Sequence, residues 1–99
     1  MTIEEITEEN HLRLSVEGKI DANSSQEFTN AIINSLQRTT SLVVDMENVV
    51  YLSSAGLRAF ALGQKTAMTK GAGFSLSNVQ DPVKDIFRTT GFDKILNIS

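Results

Sequence analysis

The chain has 99 residues, 40% of them hydrophobic and 21% charged, with a formal net charge of −3. That suits one globular domain with a modest core, and neither a disordered tail nor a membrane span fits so even a mixture. There is no cysteine, which removes disulfide frameworks, thiolate metal sites and cysteine nucleophiles and fits the cytoplasm.

Ile3 to Glu8 reads as a short strand and Glu9-Asn10-His11 as a turn. Leu12, Leu14 and Val16 alternate with Arg13, Ser15 and Glu17, the period of a strand with one buried face, and Gly18 is expected to stop it. Ser24 and Glu27 match a capping box, with Phe28, Ala31, Ile32, Ser35 and Leu36 on one stripe, which predicts a helix from about Ser24 to Arg38. Leu42 to Met46 reads as a central strand covered on both faces. Val49 to Leu52 follows as a short apolar connection.

Tyr51-Leu52-Ser53-Ser54-Ala55-Gly56-Leu57 then carries the chain from apolar strand to helix. The helix is expected from about Ser54 to Lys70, with Leu57, Phe60, Ala61, Gln64, Ala67 and Met68 inward and Gly71-Ala72-Gly73 ending it. Phe74 to Asn78 alternates as another strand. Asp81-Pro82 opens a last helix as N-cap and first residue, and Thr90-Gly91 closes it. Phe92, Ile95, Leu96 and Ile98 are available to dock the C-terminus. The order β-β-α-β-α-β-α predicts an α/β fold with a mixed sheet and helices packed against it. Leu14, Val16, Val43, Val44, Leu57, Phe60, Ala61 and Phe87 are its expected core.

The signatures of catalysis are missing. No Gly-x-Gly-x-x-Gly or Gly-Lys-Ser/Thr loop occurs, and Ser54 lacks the leading glycine of a nucleophile elbow. The sole histidine, His11, falls in a distant turn and gives Ser54 no base. Asp21 and Asp45 stand near strand ends or interiors, where each reads first as a turn or cap residue. The nine Lys and Arg residues are scattered singly, which speaks against direct nucleic-acid binding.

Ser53 and Ser54 sit where a helix dipole and unpaired N–H groups favour negative charge. A serine there is either an N-cap or a phosphorylation switch. The outward side of the helix is expected to present Ala55, Ala59, Leu62 and Thr66, flanked by Arg58, Lys65 and Thr69. Such a smooth patch beside a phosphorylatable serine suits a docking surface.

The chain resembles the STAS-domain anti-sigma factor antagonists of bacteria over nearly its whole length. The resemblance rests on the Gly18-Lys19-Ile20-Asp21 loop, Leu42 to Met46 followed by Asn48-Val49, and Ser53-Ser54-Ala55-Gly56-Leu57 opening a helix. Gly71-Ala72-Gly73 and Val83 to Phe87 with Gly91-Phe92 complete it. In that family the phosphorylated serine usually follows an aspartate and precedes a second hydroxyl and Gly-Leu. Aligning Gly56-Leu57 makes Ser54 the phosphoacceptor, with Ser53 as alternative; Ser53 replaces the aspartate and Ala55 the second hydroxyl. The family's loop aspartate maps to Asp21.

The resemblance implies a partner switch without catalysis of its own. Unphosphorylated, the protein would bind an anti-sigma factor, a serine/threonine kinase of the histidine-kinase-like ATPase fold, and so free a sigma factor. Phosphorylation of Ser54 would release it, and a phosphatase would reset it. Asp21, Ser53, Ala55, Arg58, Ala59 and Leu62 are the partner-binding residues this implies, with no cofactor, metal or membrane insertion. One alternative is a STAS-fold subunit of a transport or stress-signalling complex that is never phosphorylated. Another is a small hydrolase or nucleotide-binding enzyme using Asp21 and Ser54.

Overall fold

Alternating apolar residues build the sheet. In the computed structural model, which describes residues 1–99, β1 (Thr2–Thr7) pairs antiparallel with β2 (Leu12–Ile20). There follow α1 (Ser25–Leu36), β3 (Ser41–Leu52), α2 (Ser54–Lys70), β4 (Gly73–Ser77), α3 (Asp81–Thr90), a short 3₁₀ turn (Phe92–Lys94) and β5 (Asn97–Ile98). The five strands lie in chain order, and β2 to β5 run parallel. This is the expected α/β order with a mixed sheet; the two-residue β5 is an addition to it.

One face of the sheet carries the core. Leu12, Leu14 and Val16 of β2, Leu42, Val44 and Met46 of β3, and Phe74 and Leu76 of β4 are buried there. All three helices cover this face, because one ring from each meets the next. Phe28 of α1 and Phe60 of α2 stack edge-to-face with centroids 5.0 Å apart, and Phe60 meets Phe87 of α3 at 5.4 Å. Such T-shaped pairs add to the stabilisation from area burial alone.

Four expectations are corrected. Gly18 does not end β2: with φ of 109° it lies inside the strand, beside an irregularity in the register. β3 runs unbroken to Leu52, because Ser15 pairs with Asp45 but Glu17 with Asn48, and Gly18 with Val49 but Lys19 with Tyr51. Each step fits an extra residue into β3, a bulge that bends the strand without ending it. The Ser24–Glu27 capping box does not form; Ser24 Oγ donates to the Lys19 carbonyl and makes no cap bond to α1. Gln80, not Asp81, is the N-cap residue of α3, so Asp81 and Pro82 are its first two residues.

The largest correction concerns α2. Its buried residues are Gly56, Leu57, Ala59, Phe60, Gly63 and Ala67, while Ala61 is exposed and Met68 is 70% exposed. Val43, on the uncovered face of the sheet, is only half-buried. The helix is rolled toward its small residues so that backbones can approach. A Cβ on Gly63 would stand 2.9 Å from Ile32 Cγ2 of α1 and 3.2 Å from Phe74 Cζ of β4. Gly71 at φ of 70° then ends the helix in the left-handed conformation open to glycine.

Candidate functional site

The two serines have different surroundings. Ser53 is the N-cap of α2, with extended backbone; its Oγ accepts the Gly56 N–H at 3.4 Å. The same hydroxyl donates to the Ile20 carbonyl at 3.4 Å, and the Ser53 N–H donates to that carbonyl at 3.0 Å. Ser53 is therefore half-buried, with its hydroxyl occupied as donor and acceptor. Ser54, the first residue of α2, is exposed and its hydroxyl has no hydrogen-bond partner within the chain. The N–H groups of Ser54 and Ala55 also lack acceptors, and the first turn of α2 holds no acid. No acid of the helix itself offsets the positive potential at that end.

The bonds to Ile20 bring the next residue, Asp21, beside the start of α2. Asp21 Oδ1 accepts the N–H groups of Asn23 at 3.0 Å and Ser24 at 3.2 Å, an Asx turn that shapes the entry to α1. The N-cap Ser24 itself makes no side-chain bond to the first turn of α1, so the Asx turn orders the loop before the helix and does not cap it. No hydrogen bond within the chain reaches Asp21 Oδ2.

Along α2, Arg58 and Leu62 lie on the exposed side, one and two turns beyond Ser54, and Ala55 is half-buried. Leu62 is 45% exposed. Ala59 does not join them: at 3% exposure it belongs to the core, where its small side chain lets α2 sit close. Two exposed apolar residues were not anticipated. Val50 and Tyr51, at the end of β3 just before the serines, are 55% and 47% exposed. The β3 irregularities that expose them leave no trace in hydropathy, although a tyrosine beside two valines in an apolar run is the kind of residue that lines interfaces.

The rest of the chemistry is structural. Asp45 is buried, and its carboxylate accepts Arg13 Nη1 at 2.9 Å, Asn78 Nδ2 at 3.2 Å and the Glu47 N–H at 3.0 Å. It ties β2, β3 and the β4–α3 turn together on the uncovered sheet face. At the pole opposite Ser54, a polar cleft of about 600 Å³ lies between the β1–β2 turn and the end of α1. Most of its charges are paired within the chain: Glu8 holds Arg13, Glu5 holds Arg38, and Lys70 donates to the Leu36 carbonyl. Hydrogen bonds from Arg38 and Arg13 hold the Glu5 and Glu8 carboxyls below their ordinary values and raise both arginines. No three His, Asp or Glu side chains gather as a metal site, and no helix is long and apolar enough to cross a membrane.

Residues 2–99 match the STAS domain family model. A STAS-domain containing protein of Pseudomonas aeruginosa is 28% identical over 88 residues, covering 89% of this chain and 87% of that protein. The anti-sigma-B factor antagonist of Bacillus subtilis is 25% identical over 91 residues, covering 92% and 84%. Among solved structures, the Bacillus anti-sigma factor antagonist SpoIIAA superimposes in its unphosphorylated form with a TM-score of 0.82 at 12% identity, covering 99% of this chain and 88% of that one. Its phosphorylated form gives 0.74 at 11% identity, covering 99% and 91%. At that identity the superposition speaks for the fold.

Proposed function

The chain belongs to the STAS domain family, and within it we propose that this protein is an anti-sigma factor antagonist switched by phosphorylation of Ser54. Unmodified, it binds an anti-sigma factor that is also a serine/threonine kinase of the histidine-kinase-like ATPase fold, and so frees a sigma factor in the cytoplasm. The kinase phosphorylates Ser54, the complex dissociates, and a phosphatase restores the serine. The protein is ligand and substrate in this cycle, with the chemistry done by its partners.

The observation that carries the reading is the division of labour between the serines. Ser53 caps α2 and is held by Ile20 and Gly56, which leaves Ser54 free and exposed at the positive end of the helix. A phosphate there adds about two negative charges without breaking a bond of the fold. The cost falls on the complex, where those charges must be desolvated or must face the partner. The docking surface runs from Asp21 and Ser53 over Ser54 and Ala55 to Arg58 and Leu62, with Val50 and Tyr51 at its edge.

One feature favours the unphosphorylated subunit of a transport or stress-signalling complex: Ser53 stands where the resembled phosphorylation motif carries aspartate. Affinity capture from native lysate, followed by treating the captured assembly with ATP and mapping phosphosites, separates the two. A captured ATPase that modifies Ser54 supports the antagonist. Transport components with both serines unmodified would replace it with the subunit reading.

A further inference from the structure

The chain has four arginines, and three are paired: Arg13 with Glu8 and Asp45, Arg38 with Glu5, Arg88 with Asp85. Arg58 is the exception. It is exposed on α2 and makes no ion pair or side-chain hydrogen bond. Nor can its own helix supply one, because α2 reads Ser-Ala-Gly-Leu-Arg-Ala-Phe-Ala-Leu-Gly-Gln-Lys-Thr-Ala-Met-Thr-Lys and contains no carboxylate. In a chain of net charge −3, this helix presents only cations.

The residue one turn before Arg58 is Ser54, four positions toward the N-terminus. On a helix, an anion four residues N-terminal to a cation is the favourable order of such a pair. Arginine suits a phosphate in particular, since its planar fork can donate two parallel bonds to phosphate oxygens. We propose that Arg58 is the internal counter-ion of a phosphate on Ser54, and that the modification acts by drawing Arg58 off the docking surface as well as by adding charge. This rests on the phosphorylation reading above and specifies its regulation.

In the unmodified protein, Arg58 projects freely beside Leu62 and offers a cation to a carboxylate on the partner. After modification, the guanidinium folds back one turn over the phosphate. The partner then loses a favourable contact and meets a repulsive one at the same place. Free N–H groups of Ser54 and Ala55 share the phosphate's charge, so the fold tolerates the change.

The test uses full-length protein with phosphoserine installed at position 54 during synthesis, so that no kinase is needed. Phosphorus NMR then follows the second ionisation of the phosphate, which ordinarily lies near about pH 6. In the natural sequence it falls by roughly half a unit relative to Arg58→Gln, and Arg58→Lys recovers part of the shift. Identical titrations with and without Arg58 would overturn the pairing. A second measurement reads the partner side: unmodified Arg58→Gln binds the anti-sigma partner roughly two- to fivefold more weakly, with an unchanged melting temperature. Unchanged affinity would overturn the withdrawal step. Because the phosphate is installed chemically, a failed pairing is distinguishable from a Ser54 that no kinase modifies.

Discussion

The backbone N–H of Ser53 donates to the carbonyl oxygen of Ile20 at 3.0 Å, fastening the start of α2 to the end of β2. Gly56 sits against the same oxygen, and a Cβ there would lie 2.7 Å from it. The surface around Ser54 is thus assembled where the start of α2 and the end of β2 press together. Gly56→Ala should force them apart and cost about 1–3 kcal/mol, the usual range for overpacking. Urea unfolding reads the cost, and a midpoint equal to the parent's would place the helix further from β2 than described.

The serines should separate in stability as they do in geometry. Ser53→Ala removes the N-cap and should cost about 1 kcal/mol, whereas Ser54→Ala leaves every intramolecular bond in place and should change little. Equal losses for both would mean that the cap is shared.

Phe60 is fully buried between Phe28 and Phe87. Phe60→Ala should cost about 3–5 kcal/mol. Ser35 offers the opposite sign: it is buried on α1 with its hydroxyl unpartnered. Ser35→Ala should raise stability by about 1 kcal/mol, since it removes an unsatisfied polar group and improves helix propensity. A melting temperature lowered by that substitution would reveal a partner for the hydroxyl.

Glu5 and Glu8 have lower pKa values folded than unfolded, chiefly through hydrogen bonds from Arg38 and Arg13. Their contribution is therefore present above the ordinary carboxylate range and lost as pH falls through their depressed folded values. The denaturation midpoint should drop between neutral pH and about pH 3, and less so in Glu5→Gln with Glu8→Gln. These pairs are exposed, so the difference is small.

Much of this was readable in the residues. Strand alternation and helical stripes define the element order, and the hydroxyl pair before Gly56-Leu57 marks where α2 begins. The failures share a cause, which is that long-range packing overrides local pattern. Ala59 looks like part of a smooth outer face in hydropathy, yet it is buried, and one turn further on the missing side chain of Gly63 allows Ile32 and Phe74 to approach. Asp45, Glu47 and Asn48 look like a strand end, but Arg13 and Asn78 satisfy Asp45 from distant segments, and β3 passes through. Ser24 does not cap α1 because its hydroxyl is engaged by the Lys19 carbonyl and the Asp21 N–H, contacts that hydropathy does not show.

Leu62 is an exposed apolar member of the proposed docking surface. Leu62→Glu should weaken binding to the anti-sigma partner roughly tenfold while the melting temperature stays within the scatter of surface substitutions. Unfolding instead would place Leu62 inside.

The most direct test is a binding titration of the anti-sigma kinase with two forms of the protein, one unmodified and one carrying phosphoserine only at position 54. Both should show the same cooperative unfolding. The unmodified form should bind at least about tenfold more tightly, a difference of roughly 1.4 kcal/mol or more. Equal affinity of the two forms would contradict the switch at Ser54.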